Sequence, residues 1–176
     1  MSASHERTSK PFVLTRTFDA PRELVFAAFT QLEHLQRWMG PKGFEMVDCK
    51  VDLRPGGVFH YGLRAAGGTT MWGKWTYREI VAPEGLVVVV QFSDEAGGVT
   101  RHPMSATWPL STLSTTTFTE QHGQTLLTLH WQALDASSEE EQTFDASHAG
   151  MAQGWGGTMD QLAAHLATHV AAAQKG

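Results

Sequence analysis

The chain has 176 residues, 13 Lys+Arg against 18 Asp+Glu, and a formal net charge of −5, which is enough for one domain core and too little for two. Mild acidity and the lack of any Lys/Arg run leave no electrostatic footprint for nucleic acid. A single cysteine, Cys49, excludes an internal disulfide and any multi-cysteine zinc centre.

Residues 1–10 (MSASHERTSK) read as a disordered polar tail without an apolar signal core, so a cytoplasmic protein is expected. One domain then fills residues 11–172. Phe12–Phe18 is rich in β-formers and reads as a first strand. Asp19-Ala20-Pro21 opens a helix, since proline suits a first helical turn, and Thr30-Gln31-Leu32-Glu33 has the form of a capping box for a second short helix. Gly40-Pro41 stops it.

The period then changes. Phe44–Leu53, Val58–Arg64, Met71–Val81, Leu86–Phe92, Leu113–Glu120 and Thr125–Ala133 read as strands separated by glycine turns, the pattern of an antiparallel meander. The apolar run Leu86–Val90 is far below the roughly 20 residues that span a membrane, so no membrane partner is expected. One long connection, residues 93–111, contains His102 and Met104; it reads first as a mobile loop whose His102 and Met104 have no role, with a lid at the pocket mouth as the alternative.

Ser138-Glu139-Glu140-Glu141 reads as a second capping box. Beyond it Met151, Trp155, Met159, Leu162, Leu166 and Val170 recur at helical spacing as one apolar stripe. Gly154, Gly156 and Gly157 interrupt that helix at about 1 kcal/mol each. They imply close packing, a kink or a void beside Trp155. The expected fold is α+β: a curved antiparallel sheet of about seven strands around a long C-terminal helix, with two short helices after strand 1.

Several segments in this order carry a resemblance. They are Phe18-Asp19-Ala20-Pro21-Arg22-Glu23-Leu24, Asp52-Leu53-Arg54-Pro55-Gly56-Gly57, Tyr77-Arg78-Glu79-Ile80-Val81, Gly154-Trp155 and Asp160-Gln161-Leu162. The chain resembles the START-like (SRPBCC, helix-grip) superfamily, and within it the domains named for the activator of heat-shock-protein ATPase. The resemblance implies a helix-grip fold and functions that include binding of hydrophobic small molecules, polyketide cyclisation and co-chaperone action. The co-chaperone of this branch has a further N-terminal domain, where this sequence has only the polar tail. A chaperone partner is therefore not expected.

The leading expectation is a small apolar or aromatic ligand held between the long helix and the sheet by Trp38, Met71, Trp75, Phe92, Met151, Trp155 and Met159. Aromatic and methionine side chains suit such a wall, although stripes of this kind also simply fill cores. The alternatives are a cyclase- or dehydratase-type enzyme using the same cavity, or an interaction module. His60 and His130 are the candidate proton carriers, because imidazole titrates near neutral pH. No Gly-x-Ser-x-Gly elbow is present, and Cys49 on a strand reads as structural. His165 and His169 stand at i, i+4, but without a His-Glu-x-x-His motif or a nearby carboxylate no metal site is expected. No cofactor is implied, and a homodimer through a sheet edge or the long connection is compatible with the pattern.

Overall fold

The computed structural model describes residues 10–174. The tail expected over residues 1–10 lies outside them except for Lys10, whose backbone N–H donates to Asp145 at 2.9 Å. The elements follow the order β1 (Phe12–Phe18), α1 (Arg22–Thr30), α2 (Leu32–Trp38), β2 (Phe44–Val51), β3 (Val58–Ala65), β4 (Thr70–Val81), β5 (Gly85–Ser93), β6 (Val99–Thr100), β7 (Ser111–Gln121), β8 (Gln124–Leu134), α3 (Ser138–Ala146) and α4 (His148–Gln174). This is the α+β arrangement expected of a helix-grip domain.

The sheet is antiparallel in the order β1-β8-β7-β5-β4-β3-β2, with β6 paired to the end of β5. Alternation along each strand puts one set of side chains on the face that the helices cover. Phe18, Phe59, Tyr77, Phe118 and Leu127 of that set join Val25, Phe29, Leu35, Leu162 and Leu166 of the helices in one buried cluster. Bulges between Met46 and Asp48 on β2 and between Tyr77 and Glu79 on β4 interrupt the ladders and increase local twist. Thr125 Oγ1 donates to the Ala20 carbonyl at 2.8 Å and ties β8 to the start of α1.

Both expected capping boxes differ in the structure. Thr30 ends α1, and its hydroxyl donates back to the Phe26 carbonyl at 2.9 Å instead of capping α2. Such back-bonding competes with capping wherever a Thr still lies within the preceding helix. The second box is shifted by one residue. Ser137 is the N-cap of α3, and its Oγ accepts from the Glu140 N–H at 3.2 Å.

The turn after α2 is fixed to α4. Gly40 has φ +112°, a conformation that glycine alone adopts freely. Its carbonyl accepts from Gln161 Nε2 at 2.7 Å and from Thr158 Oγ1 at 3.2 Å. Around these contacts Met159, Leu162 and Leu166 are fully buried, whereas Met151 and Trp155 in the first half of α4 are only partly covered. Among the described residues no helix is long and apolar enough to cross a membrane.

Candidate functional site

Between the first half of α4 and the concave face of the sheet lies a cavity of about 630 Å³, inside the range typical of small-molecule sites. Strands β3, β4, β5, β7 and β8 form its floor, and α4 with the β5–β7 connection forms its roof. Five of the seven expected wall residues line it: Met71, Trp75, Phe92, Met151 and Trp155. Trp38 and Met159 do not. Each is 1% exposed in the closed core, where the Trp38 indole N–H donates to the Ala28 carbonyl at 2.8 Å.

The sequence reading misses three further tryptophans, Trp72, Trp108 and Trp131. Trp108 comes from the β5–β7 connection and stands 6.0 Å, ring to ring, from Trp131 and 5.5 Å from Phe144. Trp131 in turn meets Trp155 edge-on at 6.1 Å. The alternation Leu127, Leu129, Trp131 already places Trp131 with the buried face of β8. Trp108 lies in an aperiodic loop and has no such signal.

The connection itself is pinned down. The Thr143 hydroxyl donates to Thr107 Oγ1 at 2.8 Å, the Leu110 N–H donates to Glu140 at 3.2 Å, and Arg101 pairs with the same carboxylate at 3.4 Å. His102 packs between Phe92 (4.6 Å) and Trp108 (6.0 Å) and lines the cavity, with its Nδ1 accepting from the Met104 N–H at 2.9 Å. The Met104 side chain is 91% exposed and plays no part in the wall.

The glycines of α4 do not create this space. A Cβ added at Gly154, Gly156 or Gly157 would meet nothing within 4 Å, and none of the three lines the cavity. Room arises elsewhere, from two sources. Gly73 on β4 stands opposite Tyr61 on β3, and the Tyr61 ring lies across it. On β7 the inward positions are Thr112, Ser114 and Thr116, all buried and all small. They also give the floor a row of hydroxyls, one of which, Thr112 Oγ1, is occupied by the Val90 carbonyl at 3.3 Å.

His60 and His130 lie outside the lining. They alternate with Phe59 and Leu129, which are buried, and therefore face the other side of the sheet. His60 stacks on Trp72 at 5.2 Å and contacts the Asp94 carbonyl at 3.1 Å. A proton carrier for chemistry inside the cavity is thus not available from either residue. On the strand β2, burial and the neighbouring Asp48 push the Cys49 thiol up, away from the reactive thiolate.

Residues 19–167 match the family described as Activator of Hsp90 ATPase homolog 1-like protein. The chain belongs to this family. Solved structures of similar fold include a Mycobacterium smegmatis protein, 23% identical over 93% of this chain and 94% of that one, with a TM-score of 0.73. A Nitrosomonas europaea protein is 22% identical over 92% and 96%, with a TM-score of 0.72. An Arthrobacter aurescens protein is 24% identical over 90% and 86%, with a TM-score of 0.73. At these identities the likeness is one of fold. No curated protein matches the chain.

In this member of the Hsp90-activator homolog family the cavity wall contains no Asp, Glu, Lys or Arg. Its titratable groups are Tyr61 and His102. Burial pushes the Tyr61 phenol up to about 12, against a smaller opposing effect of a hydrogen bond with Trp75. Burial alone lowers His102 below the ordinary 6.5. Both are therefore neutral at neutral pH. The Trp131 indole N–H is buried and has no hydrogen-bond partner. A buried unpaired donor of this kind costs about 1–3 kcal/mol until something accepts from it.

Proposed function

We propose that the protein binds a small, neutral, mainly aromatic or apolar molecule carrying one hydrogen-bond acceptor. The observation that carries this reading is the cavity of about 630 Å³ with tryptophans on its walls, no charged side chain and an unpaired indole N–H at Trp131. A charged ligand would enter without a counter-charge, and desolvating it would cost far more than the wall returns. An apolar ligand recovers about 25 cal/mol for each Å² of apolar surface withdrawn from water, and an acceptor directed at Trp131 removes the cost of the unpaired donor. The family's fold commonly hosts hydrophobic ligands, in keeping with this reading, though fold alone does not assign function.

Native mass spectrometry of freshly purified protein, combined with titration by the neutral probe N-phenyl-1-naphthylamine, tests it. Expected results are a retained small mass or saturable quenching of tryptophan emission at one probe per chain, with a rise in melting temperature. A protein that retains no mass, and whose emission and melting temperature stay constant across a panel of neutral aromatic compounds, would sink the proposal.

A further inference from the structure

Away from the cavity, α2 meets the C-terminal half of α4, and three histidines come together there. His165 and His169 lie one turn apart on α4, and His34 reaches them from α2. His34 Nδ1 is 2.8 Å from His165 Nε2. The ring centroids are 5.1 Å apart for His34–His165, 4.8 Å for His34–His169 and 4.6 Å for His165–His169. One nitrogen of each ring lies within 4.8 Å of those of the other two. Helical spacing by itself yields a pair of imidazoles. The third is supplied by the packing of a different helix, 131 residues away in sequence.

We propose that His34, His165 and His169 form a three-imidazole site for a divalent late transition metal, for which zinc is the best match. Three neutral nitrogen donors suit zinc, nickel or copper and do not suit magnesium or calcium, which take oxygen ligands. Tetrahedral zinc with Zn–N bonds of about 2.0–2.1 Å places its donor nitrogens roughly 3.3 Å apart. The present arrangement brackets that spacing, from 2.8 Å for the closest pair to at most 4.8 Å. Small rotations of the partly exposed rings are enough to reach it. A metal ion then replaces the proton that the His34–His165 pair must share at 2.8 Å. His169 is exposed and its two partners are half-buried, so the fourth position opens to water.

The surroundings agree with this assignment. Glu33 beside His34 and Arg37 facing His165 offset each other in charge. Burial and the neighbouring imidazoles hold His34 and His165 below their ordinary value, in the uncharged form that ligates. The site is separate from the cavity, whose wall contains none of the three histidines. Metal bound there ties α2 to α4 and stabilises the folded chain by mass action.

The test uses tag-free protein stripped with EDTA and then dialysed. Calorimetric titration with zinc chloride is expected to give one metal per chain. Titration with cobalt chloride should give the intense visible absorption of a four-coordinate centre. His34→Ala, His165→Ala and His169→Ala should each weaken zinc binding at least tenfold, since even the outer partners of metal ligands are worth about 10–100-fold. His34→Gln serves as a second variant, with far-UV circular dichroism and N-phenyl-1-naphthylamine binding to show that the fold is intact. Unchanged affinity in a folded His34 variant would mean adventitious capture by the i, i+4 pair and overturns the proposal. So does the absence of saturable binding by the unmodified chain.

Discussion

The Tyr61 ring covers the space where a side chain at Gly73 would stand: a Cβ on Gly73 would lie 2.7 Å from the Tyr61 phenolic oxygen. The two residues are direct partners across β3 and β4. Gly73 has no positive φ, so alanine there is not strained by its backbone. The phenol ring must move instead, and the cavity it lines is the free space. Gly73→Ala is expected to leave secondary structure intact while weakening binding of N-phenyl-1-naphthylamine about tenfold or more. Titration of tryptophan emission measures this. Equal affinity in the folded variant would show that Tyr61 does not set the cavity's size.

Trp131→Phe should act with opposite signs on stability and on binding. Removing the unpaired indole N–H relieves an apo-state cost of about 1–3 kcal/mol, partly offset by the loss of ring volume. Ligands with an acceptor should bind more weakly, and ligands without one should bind nearly as before. Affinities for paired compounds such as 1-naphthaldehyde and 1-methylnaphthalene give the comparison. A uniform change for both members would deny the indole a hydrogen-bonding role.

The position of the elements can be read from the sequence because strand alternation, glycine turns and the helical stripe are local patterns. The site is only half legible, because which part of the stripe meets open space depends on how α4 crosses the sheet. Trp155 and Met159 belong to the same stripe, yet one lines the cavity and the other is sealed in the core. Trp38 has the composition of a ligand contact, but its indole satisfies the Ala28 carbonyl inside the core. Ser137 and Ser138 both stand three residues before a glutamate, so pattern alone does not choose the cap. Trp108 is invisible to any periodicity because a connection delivers it.

Acid should loosen the roof through His102. Burial lowers its folded-state pKa below 6.5, so the unfolded chain takes up the proton first. The stability it contributes is complete above about 6.5 and is lost as the pH falls from there through the folded-state pKa. Protonation of Nδ1 also ends its hydrogen bond from the Met104 N–H. The nearby charges, Arg101 and Glu140, are paired with each other at 3.4 Å. Between pH 7 and 5 the unmodified protein should lose more stability and more probe affinity than His102→Gln. Parallel pH profiles for the two would rule this imidazole out as the cause.

Alanine at Gly154, Gly156 and Gly157 should stabilise the chain. Each added methyl meets open space and removes about 1 kcal/mol of helix-interior cost. At roughly 2–4 °C per kcal/mol for a domain of this size, the triple variant is expected to melt several degrees higher. An unchanged or lower melting temperature would show that these positions are occupied in a way the packing does not reveal.

The same three residues have a further consequence. Helix α4 is fastened beyond residue 157, where Thr158 and Gln161 hold the Gly40 carbonyl and Leu162 and Leu166 are buried. Ahead of that anchor the helix roofs the cavity with the backbone that is easiest to unwind. A molecule passing into or out of the cavity is helped by a yielding wall, and weak helix next to firm helix makes one. Amide protons of residues 150–157 should accordingly exchange with solvent faster than those of residues 159–166, and filling the cavity should slow the first group far more than the second.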